Sequence, residues 1–124
     1  MPLQIFIENT TNSLTLTLDG QLDTSTANDL DQSIQSSLNA NIQTLIFNLQ
    51  SLSFVSSAGL RIFAKARKTL KAREGKVFFT NLTPQVKKVF DIVKAVPISE
   101  VFANAEELDA YLTVMQSNID SESD

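Results

Sequence analysis

The sequence contains no cysteine and no histidine among its 124 residues. Without thiols the chain forms neither disulfides nor thiolate metal sites, and it has no cysteine nucleophile. Without imidazole it lacks the commonest general base, so a Ser-His-Asp triad cannot form within the chain. An enzyme built from this sequence would have to rely on carboxylates, lysine, serine or a borrowed cofactor.

Long apolar runs are also missing from the chain. None approaches the ~20 residues that a membrane-spanning helix needs. The first ten residues, MPLQIFIENT, have neither the positive segment nor the apolar stretch of a secretory signal. We therefore expect a cytoplasmic protein without membrane insertion. Hydrophobic residues make up 43% of the chain, which is enough for the core of one domain.

Basic residues are absent from both ends of the chain. All ten lie between Arg61 and Lys94, whereas residues 1–60 contain five acids and residues 95–124 contain seven. The bases are either the solvated faces of two helices or a patch that steers an acidic partner. Nucleic acid is not an expected partner, because the net charge is −4 and no recognition motif accompanies the bases.

The first half of the chain predicts a hairpin followed by a helix. Residues 3–7 are rich in strand-forming side chains, and residues 14–18 alternate strictly between leucine and threonine. The pair Asp19-Gly20 is expected to end the second strand. A helix is then predicted over residues 24–39, because apolar side chains recur there at helical spacing: Ala27, Leu30, Ile34 and Leu38.

The second half predicts two further strand–helix pairs and a final helix. Residues 44–49 suit a strand covered on both sides, and a helix over residues 57–73 follows, closed by Glu74-Gly75. Residues 76–80 form the next strand. Thr83 and Pro84 are the expected cap and first residue of a helix that continues to about Lys94. Residues 98–102 form either a short edge strand or a packed loop, and a helix over 105–116 completes the pattern.

This order predicts an α/β fold with a mixed sheet of four to five strands. The N-terminal hairpin precedes parallel strand–helix–strand crossovers, and four to five helices pack on the sheet. Residues 1–116 are expected to form one domain, and residues 117–124 a flexible acidic tail. Two loops, 20–24 and 56–59, follow strands and precede helix N-termini, where free N–H groups favour anions.

The second loop, Ser56-Ser57-Ala58-Gly59, allows two interpretations from the residues alone. One serine caps the helix while the small residues let it pack closely, or one serine is an exposed phosphoacceptor. Motifs of serine enzymes and phosphate-binding loops are absent from the sequence. A serine without an activating base is also a poor nucleophile, so we expect no catalytic role for this loop.

Two segments resemble motifs of the anti-sigma factor antagonist family, the STAS domain. Residues 18–27, LDGQLDTSTA, are similar to that family's G-E-L-D-x-x-T-A segment. Residues 54–60, FVSSAGL, are similar to its x-D-S-S-G-L segment, in which the first serine after the aspartate is phosphorylated. The resemblance implies phosphorylation of Ser57, with Ser56 as second choice. Two residues depart from the pattern. Ser56 stands where the family has aspartate, and Ala58 stands where it has the second serine.

The same resemblance implies a phosphorylation-controlled binding switch and not an enzyme, with no cofactor and no bound metal. The unmodified protein would bind an anti-sigma factor that is also a serine kinase of the GHKL type, and phosphorylation would release it. A PP2C-type phosphatase would then reset the switch. The implied partner-binding residues surround both loops: Asp23, Thr24, Ser56, Ser57, Ala58, Gly59, Arg61 and Lys65.

Two alternatives remain open at this point. The domain is a subunit of another regulatory or lipid-transport assembly that does not use phosphorylation, or it is a nucleotide-binding protein. In the second case Asp19, Asp23 and the serine loop would line a small cleft. Both aspartates also have ordinary structural explanations, at a strand end and at a helix cap.

Overall fold

Five strands form one sheet in the order of the sequence, β1-β2-β3-β4-β5. The computed structural model describes residues 3–93, 101–104, 106–108 and 110–113. The strands are β1 (Gln4–Asn9), β2 (Ser13–Leu22), β3 (Thr44–Val55), β4 (Lys76–Thr80) and β5 (Val101–Phe102). β1 pairs antiparallel with β2, and each later pair is parallel.

Three helices connect the parallel strands: α1 (Ala27–Ser37), α2 (Ser57–Ala72) and α3 (Pro84–Val93). Residues 106–108 and 110–113 are also helical. The predicted mixed α/β sheet, with its hairpin and parallel crossovers, is therefore confirmed. The expected tail over 117–124, and parts of the last predicted strand and helix, lie outside the described residues.

The core lies between the sheet and the three helices. In β2 the alternate leucines are fully buried, which is the period-2 pattern that the sequence shows. Four phenylalanine rings, Phe47, Phe63, Phe79 and Phe90, contact one another with centroids 4.9–6.1 Å apart. The ring of Phe78, on the other face of β4, packs against Phe102 and Tyr111.

The predicted end of β2 at Asp19-Gly20 is wrong. The strand passes through both residues to Leu22, and Gly20 has a φ of 119°, a conformation that glycine adopts without strain. Register shifts at Thr17/Asp19 and at Gly20/Gln21 each leave one extra residue in β3. Asp19 and Gly20 remain paired with Ser51 and Leu52 of β3, so a residue pair typical of a turn does not end β2 here.

The bulges also change which residues of β3 are buried. Leu45, Phe47 and Leu49 follow the usual alternation, but the next buried residues are Leu52 and Val55. The spacing between buried residues therefore changes from two positions to three after Leu49. β3 extends to Val55, six residues beyond the strand predicted over 44–49, and ends beside Leu22 of β2.

Both ends of α2 depend on close packing against the sheet. At its C-terminus Glu74, not Gly75, has the positive φ of 61°, and the Gly75 N–H donates to the Leu70 carbonyl. A Cβ on Gly75 would lie 2.6 Å from the Gln43 carbonyl oxygen. In the first turn, a Cβ on Gly59 would lie 2.6 Å from Cγ of Leu22 and 3.1 Å from Cγ2 of Val55.

We predict that Gly59→Ala destabilises the protein despite alanine's better helix propensity. Overpacking a filled core costs about 1–3 kcal/mol, and alanine in a helix recovers up to about 1 kcal/mol relative to glycine. The free energy of unfolding in urea should therefore fall by about 1–2 kcal/mol. The clash with Leu22 is the physical reason.

A double-mutant cycle provides the control. In a Leu22→Ala background the clash is relieved, so adding Gly59→Ala should be close to neutral or stabilising. An equal loss of unfolding free energy in both backgrounds would show that Gly59 is needed for some other reason.

Candidate functional site

The two loops that the sequence singled out lie side by side. Leu22 and Val55 are paired at the ends of β2 and β3, and the Ser56 N–H donates to the Leu22 carbonyl over 2.8 Å. Because these strands are parallel, Asp23 and Ser56 leave the same edge of the sheet. The structure thus brings the predicted loop residues together.

Asp23 organises the first loop as a turn. Its Oδ1 accepts hydrogen bonds from the Ser25 N–H (3.0 Å), the Ser25 hydroxyl (2.7 Å) and the Thr26 N–H (3.1 Å). Its backbone carbonyl accepts from the Ala27 N–H over 2.9 Å. Residues 24–26 are therefore held in a turn, and α1 begins at Ala27, three residues later than predicted. Thr24 is exposed in this turn.

Thr26 joins this turn to the end of β2. Its buried hydroxyl donates to the Gln21 carbonyl over 2.8 Å and accepts from the Asp23 N–H over 2.9 Å. The Thr26 hydroxyl thus acts as both donor and acceptor, and these two hydrogen bonds hold the loop against the strand. The position of the Asp23 carboxylate is therefore determined by its neighbours on both sides.

The Asp23 carboxylate is stabilised in its ionised form. The hydrogen bond from the Ser25 hydroxyl lowers the pKa of this carboxyl most, and the Thr26 and Ser25 N–H groups lower it further. Together they outweigh desolvation, which raises the pKa. The pKa of Asp23 consequently lies below its ordinary value of 3.8. The loop therefore carries a full negative charge throughout the physiological pH range.

The two serines of the second loop have different roles. Ser56 is the N-cap of α2: its hydroxyl accepts from the Gly59 N–H over 3.3 Å, and its carbonyl accepts from the Leu60 N–H. Ser57 is the first residue of the helix and is exposed. Among the described residues no hydrogen bond involves its hydroxyl. Ala58 and Gly59 face the core, so the small residues pack the helix against the sheet.

The two bases that were assigned to the site differ in their surroundings. Arg61 is exposed one helical turn after Ser57, and none of the ion pairs between described residues involves it. Lys65 is engaged within the chain, because its Nζ lies 3.0 Å from Oδ2 of Asp31 on α1. Lys65 therefore joins α1 to α2, and Arg61 is the more available cation near the loop.

Phe54 lies beside both loops but is not among the site residues predicted from the sequence. Its side chain is 46% exposed, whereas that of the next residue, Val55, is 3% exposed. The second bulge of β3 turns Phe54 outward and places it opposite Gln21, beside both loops. The three-residue spacing of Leu49, Leu52 and Val55 is the signal that could have revealed this exposure.

The structure gives no support to a paired-carboxylate cleft. Asp19 lies within β2 and is paired with Ser51, and three residues of extended strand, about 10 Å, separate it from Leu22. Asp23 lies beyond that point, in the turn. Within the described part of the chain, no group of three or more acidic residues could hold a metal ion. No helix in that part is long and apolar enough to cross a membrane.

The family profile described as "STAS domain" matches residues 4–108. The chain belongs to the STAS domain family. It is 29% identical over 90 residues to BtrV of Bordetella bronchiseptica, which is provisionally named an anti-sigma factor antagonist. The aligned residues make up 73% of this chain and 77% of BtrV. The match places both loops within a known kind of domain.

Two solved structures of SpoIIAA share this STAS fold. The unphosphorylated form of this anti-sigma factor antagonist superposes with a TM-score of 0.77 at 25% identity, covering 91% of this chain and 97% of the other. The phosphorylated form, described as a Bacillus cell fate determinant, gives 0.70 at 23% identity, covering 88% and 99%. The fold is thus similar to both forms of that protein.

We predict that the turn of Asp23 titrates at unusually low pH. Folding lowers this pKa, so the stabilisation is present above the ordinary value of 3.8 and is lost as pH falls through the folded-state value. In an NMR titration, the Ser25 and Thr26 amide resonances should shift with a midpoint below 3.8.

Ser25→Ala removes the strongest hydrogen bond and should move this midpoint upward. Ser36→Ala, on the distant end of α1, is the matched control and should leave the midpoint unchanged. A wild-type midpoint at or above 3.8 would contradict the assigned hydrogen bonds.

Proposed function

We propose that this STAS domain is a cytoplasmic anti-sigma factor antagonist whose binding is switched by phosphorylation of Ser57. In the unphosphorylated form it binds an anti-sigma factor that is also a serine kinase of the GHKL type, which frees that factor's target. Phosphorylation ends the complex, and a PP2C-type phosphatase restores the binding form. The observation that carries this proposal is the exposed hydroxyl of Ser57 at the start of α2.

The division of roles between the two serines favours Ser57 as the acceptor. The Ser56 hydroxyl already accepts the Gly59 N–H as the helix cap, and Ser56 is half-buried. Modification there would disturb the start of α2. Ser57 can accept a phosphate without losing any hydrogen bond that the described residues make. The related motif has aspartate at the position of Ser56. Here the serine caps the helix that begins with Ser57, and it does so without a charge.

A phosphate on Ser57 would be tolerated by the free protein. The N-terminus of a helix carries a partial positive charge and unpaired N–H groups, which stabilise anions. The fold therefore need not change on phosphorylation, and the effect falls on the docked partner. A group of about −1.5 to −2 charge would enter an interface fitted to a neutral hydroxyl.

The neighbouring charges strengthen this effect. Asp23 is already ionised beside the loop, so phosphorylation adds to an existing negative charge. Arg61 lies four residues after Ser57 on the same helix face, where oppositely charged side chains can pair. The phosphate can therefore attract Arg61. The partner then loses its contact with this cation, which it has in the complex with the unmodified protein. Both changes favour dissociation.

We predict that Ser57→Asp weakens binding of the partner at least about tenfold, a loss of about 1.4 kcal/mol, while Ser57→Ala retains it. The aspartate imitates part of the added charge, whereas alanine only removes an exposed hydroxyl. A pull-down from the native host with each variant identifies the partner, and titration calorimetry then gives the affinities.

Ser36→Asp is the matched control for charge, because Ser36 is exposed on α1, away from both loops. It should bind the partner as the wild type does. Equal affinities of Ser57→Asp and Ser57→Ala would overturn the switch. A wild-type protein that retains no anti-sigma factor would overturn the proposed function as a whole.

Phe54 is expected to be the apolar anchor of the docking surface. Exposed aromatic side chains within a polar rim often provide most of an interface's binding energy. We predict that Phe54→Ala weakens partner binding by about 2 kcal/mol, or about thirtyfold, as measured by titration calorimetry.

Ile92→Ala is the matched control for Phe54→Ala. Ile92 is an exposed apolar residue (71%) near the end of α3 and belongs to neither loop. Its substitution should leave the affinity unchanged. If both variants lose the same affinity, or neither loses any, Phe54 is not the anchor.

A further inference from the structure

β1 forms one edge of the sheet and lacks the usual protection of an edge strand. Within the described part of the chain, β1 pairs only with β2. Edge strands are commonly blunted by lysine, proline, a bulge or a very short length. β1 has six residues, QIFIEN, which include neither lysine nor proline, and its register with β2 is regular. Its outer side therefore remains open to pairing with a further strand.

The hairpin shows which backbone groups of β1 point outward. The Thr10 N–H donates to the Ser13 carbonyl over 2.9 Å, and this pair continues the register of β1 with β2 by one position. Hydrogen-bonded positions alternate along an antiparallel pair, so the N–H and C=O groups of Phe6, four positions before Thr10, also face β2. Those of Ile5 and Ile7 consequently point to the outer edge.

The same edge exposes apolar side chains on both faces of the sheet. Phe6 is 53% exposed and Ile7 is 47% exposed, although both belong to a paired strand. Ile5 and Ile7 lie on the core face, because they are opposite buried leucines of β2, and Phe6 lies on the other face. Neighbouring exposed apolar side chains of this kind mark an interaction surface.

The sequence of β1 is complementary to itself when two copies run antiparallel about a two-fold axis at Phe6. Phe6 of one copy then lies opposite Phe6 of the other, and Ile5 of each copy lies opposite Ile7 of the other. Glu8 lies opposite Gln4, whose amide can donate a hydrogen bond to the carboxylate. Every apolar residue of the strand thus meets an apolar residue, and its one charged residue meets an amide.

Neighbouring positions of the axis fit less well. An axis at Ile7 would place Phe6 opposite Glu8, and an axis at Ile5 would place Phe6 opposite Gln4. An axis at Glu8 would bring two carboxylates face to face, which is destabilising. With the axis at Phe6, the outward N–H and C=O groups of Ile5 and Ile7 bond to each other across the two copies. Side-chain chemistry therefore favours this register over its neighbours.

We propose that the outer edge of β1 binds a second copy of the chain, forming a two-fold symmetric dimer with one continuous sheet. The pairing occupies the β1 edge of both copies at once, so assembly through this edge stops at two. β1 pairs with β2 only as far as Asp19, three residues before β2 ends, so the dimer leaves the serine loop of each copy open. The inference does not rest on the proposed function.

A single introduced cysteine tests the register, because the chain has no cysteine of its own. The two Phe6 positions would form a non-hydrogen-bonded pair with Cα atoms about 4.5 Å apart, which a disulfide can span. Phe6→Cys should therefore give a disulfide-linked dimer on mild oxidation. Glu8→Cys, on the same face of the strand, is the matched control. Its two copies would lie about 14 Å apart along the strands and should stay unlinked.

Sedimentation velocity of the full chain, over about a thousandfold range of concentration, measures the assembly itself. We expect the wild type to shift from monomer to dimer, and Ile92→Glu, on the exposed surface of α3, to do the same. Phe6→Glu places two carboxylates opposite each other and should require at least about tenfold more protein to dimerise. Thermal unfolding verifies that each variant is folded.

Three results would overturn the proposal. The first is a wild type that remains monomeric over the whole range. The second is a dimer that Phe6→Glu forms as readily as the wild type, because that dimer would use another surface. The third is a Phe6→Cys variant that cross-links no more than Glu8→Cys, because the copies would then not meet at the proposed axis.

Discussion

The hydrogen bond from the Ser56 N–H to the Leu22 carbonyl fixes the relation between the two loops. Beside it, Gly59 lies so close to Leu22 and Val55 that no side chain fits between helix and strands. The first turn of α2 is thereby held against the ends of β2 and β3. The placement of Ser57 beside the turn of Asp23 depends on this contact.

Because the helix is packed so closely on the strands, we expect the proposed switch to act through charge and not through a change of fold. The proposed phosphate site lies at a helix N-terminus, where an anion is stabilised, and the cap of that helix is Ser56 and not Ser57. The STAS fold of this chain is similar to both the unphosphorylated and the phosphorylated forms of SpoIIAA. The partner surface, by contrast, would meet a new dianion next to the ionised Asp23.

The fold class could be predicted from the sequence because its signals are local and strong. Three local signals specify their elements directly: the leucine–threonine alternation of β2, the helical spacing of apolar residues in α2, and Thr83-Pro84 at the start of α3. The two loops were also predictable, since each follows a strand and precedes a helix. The bulges of β3 were not predictable, because they arise from pairing between distant strands, and they account for the exposure of Phe54. The late start of α1 likewise depends on the Asp23 carboxylate, which competes with the helix for backbone N–H groups.

The central claim is that Ser57, and not Ser56, is the switch, and phosphosite mapping tests it most directly. The purified protein is incubated with ATP and extract of its native host, and the modified peptide is sequenced by tandem mass spectrometry. The account predicts a single phosphate on Ser57, abolished by Ser57→Ala. A phosphate on Ser56, or a loop that stays unmodified while the partner is bound and released, would contradict it.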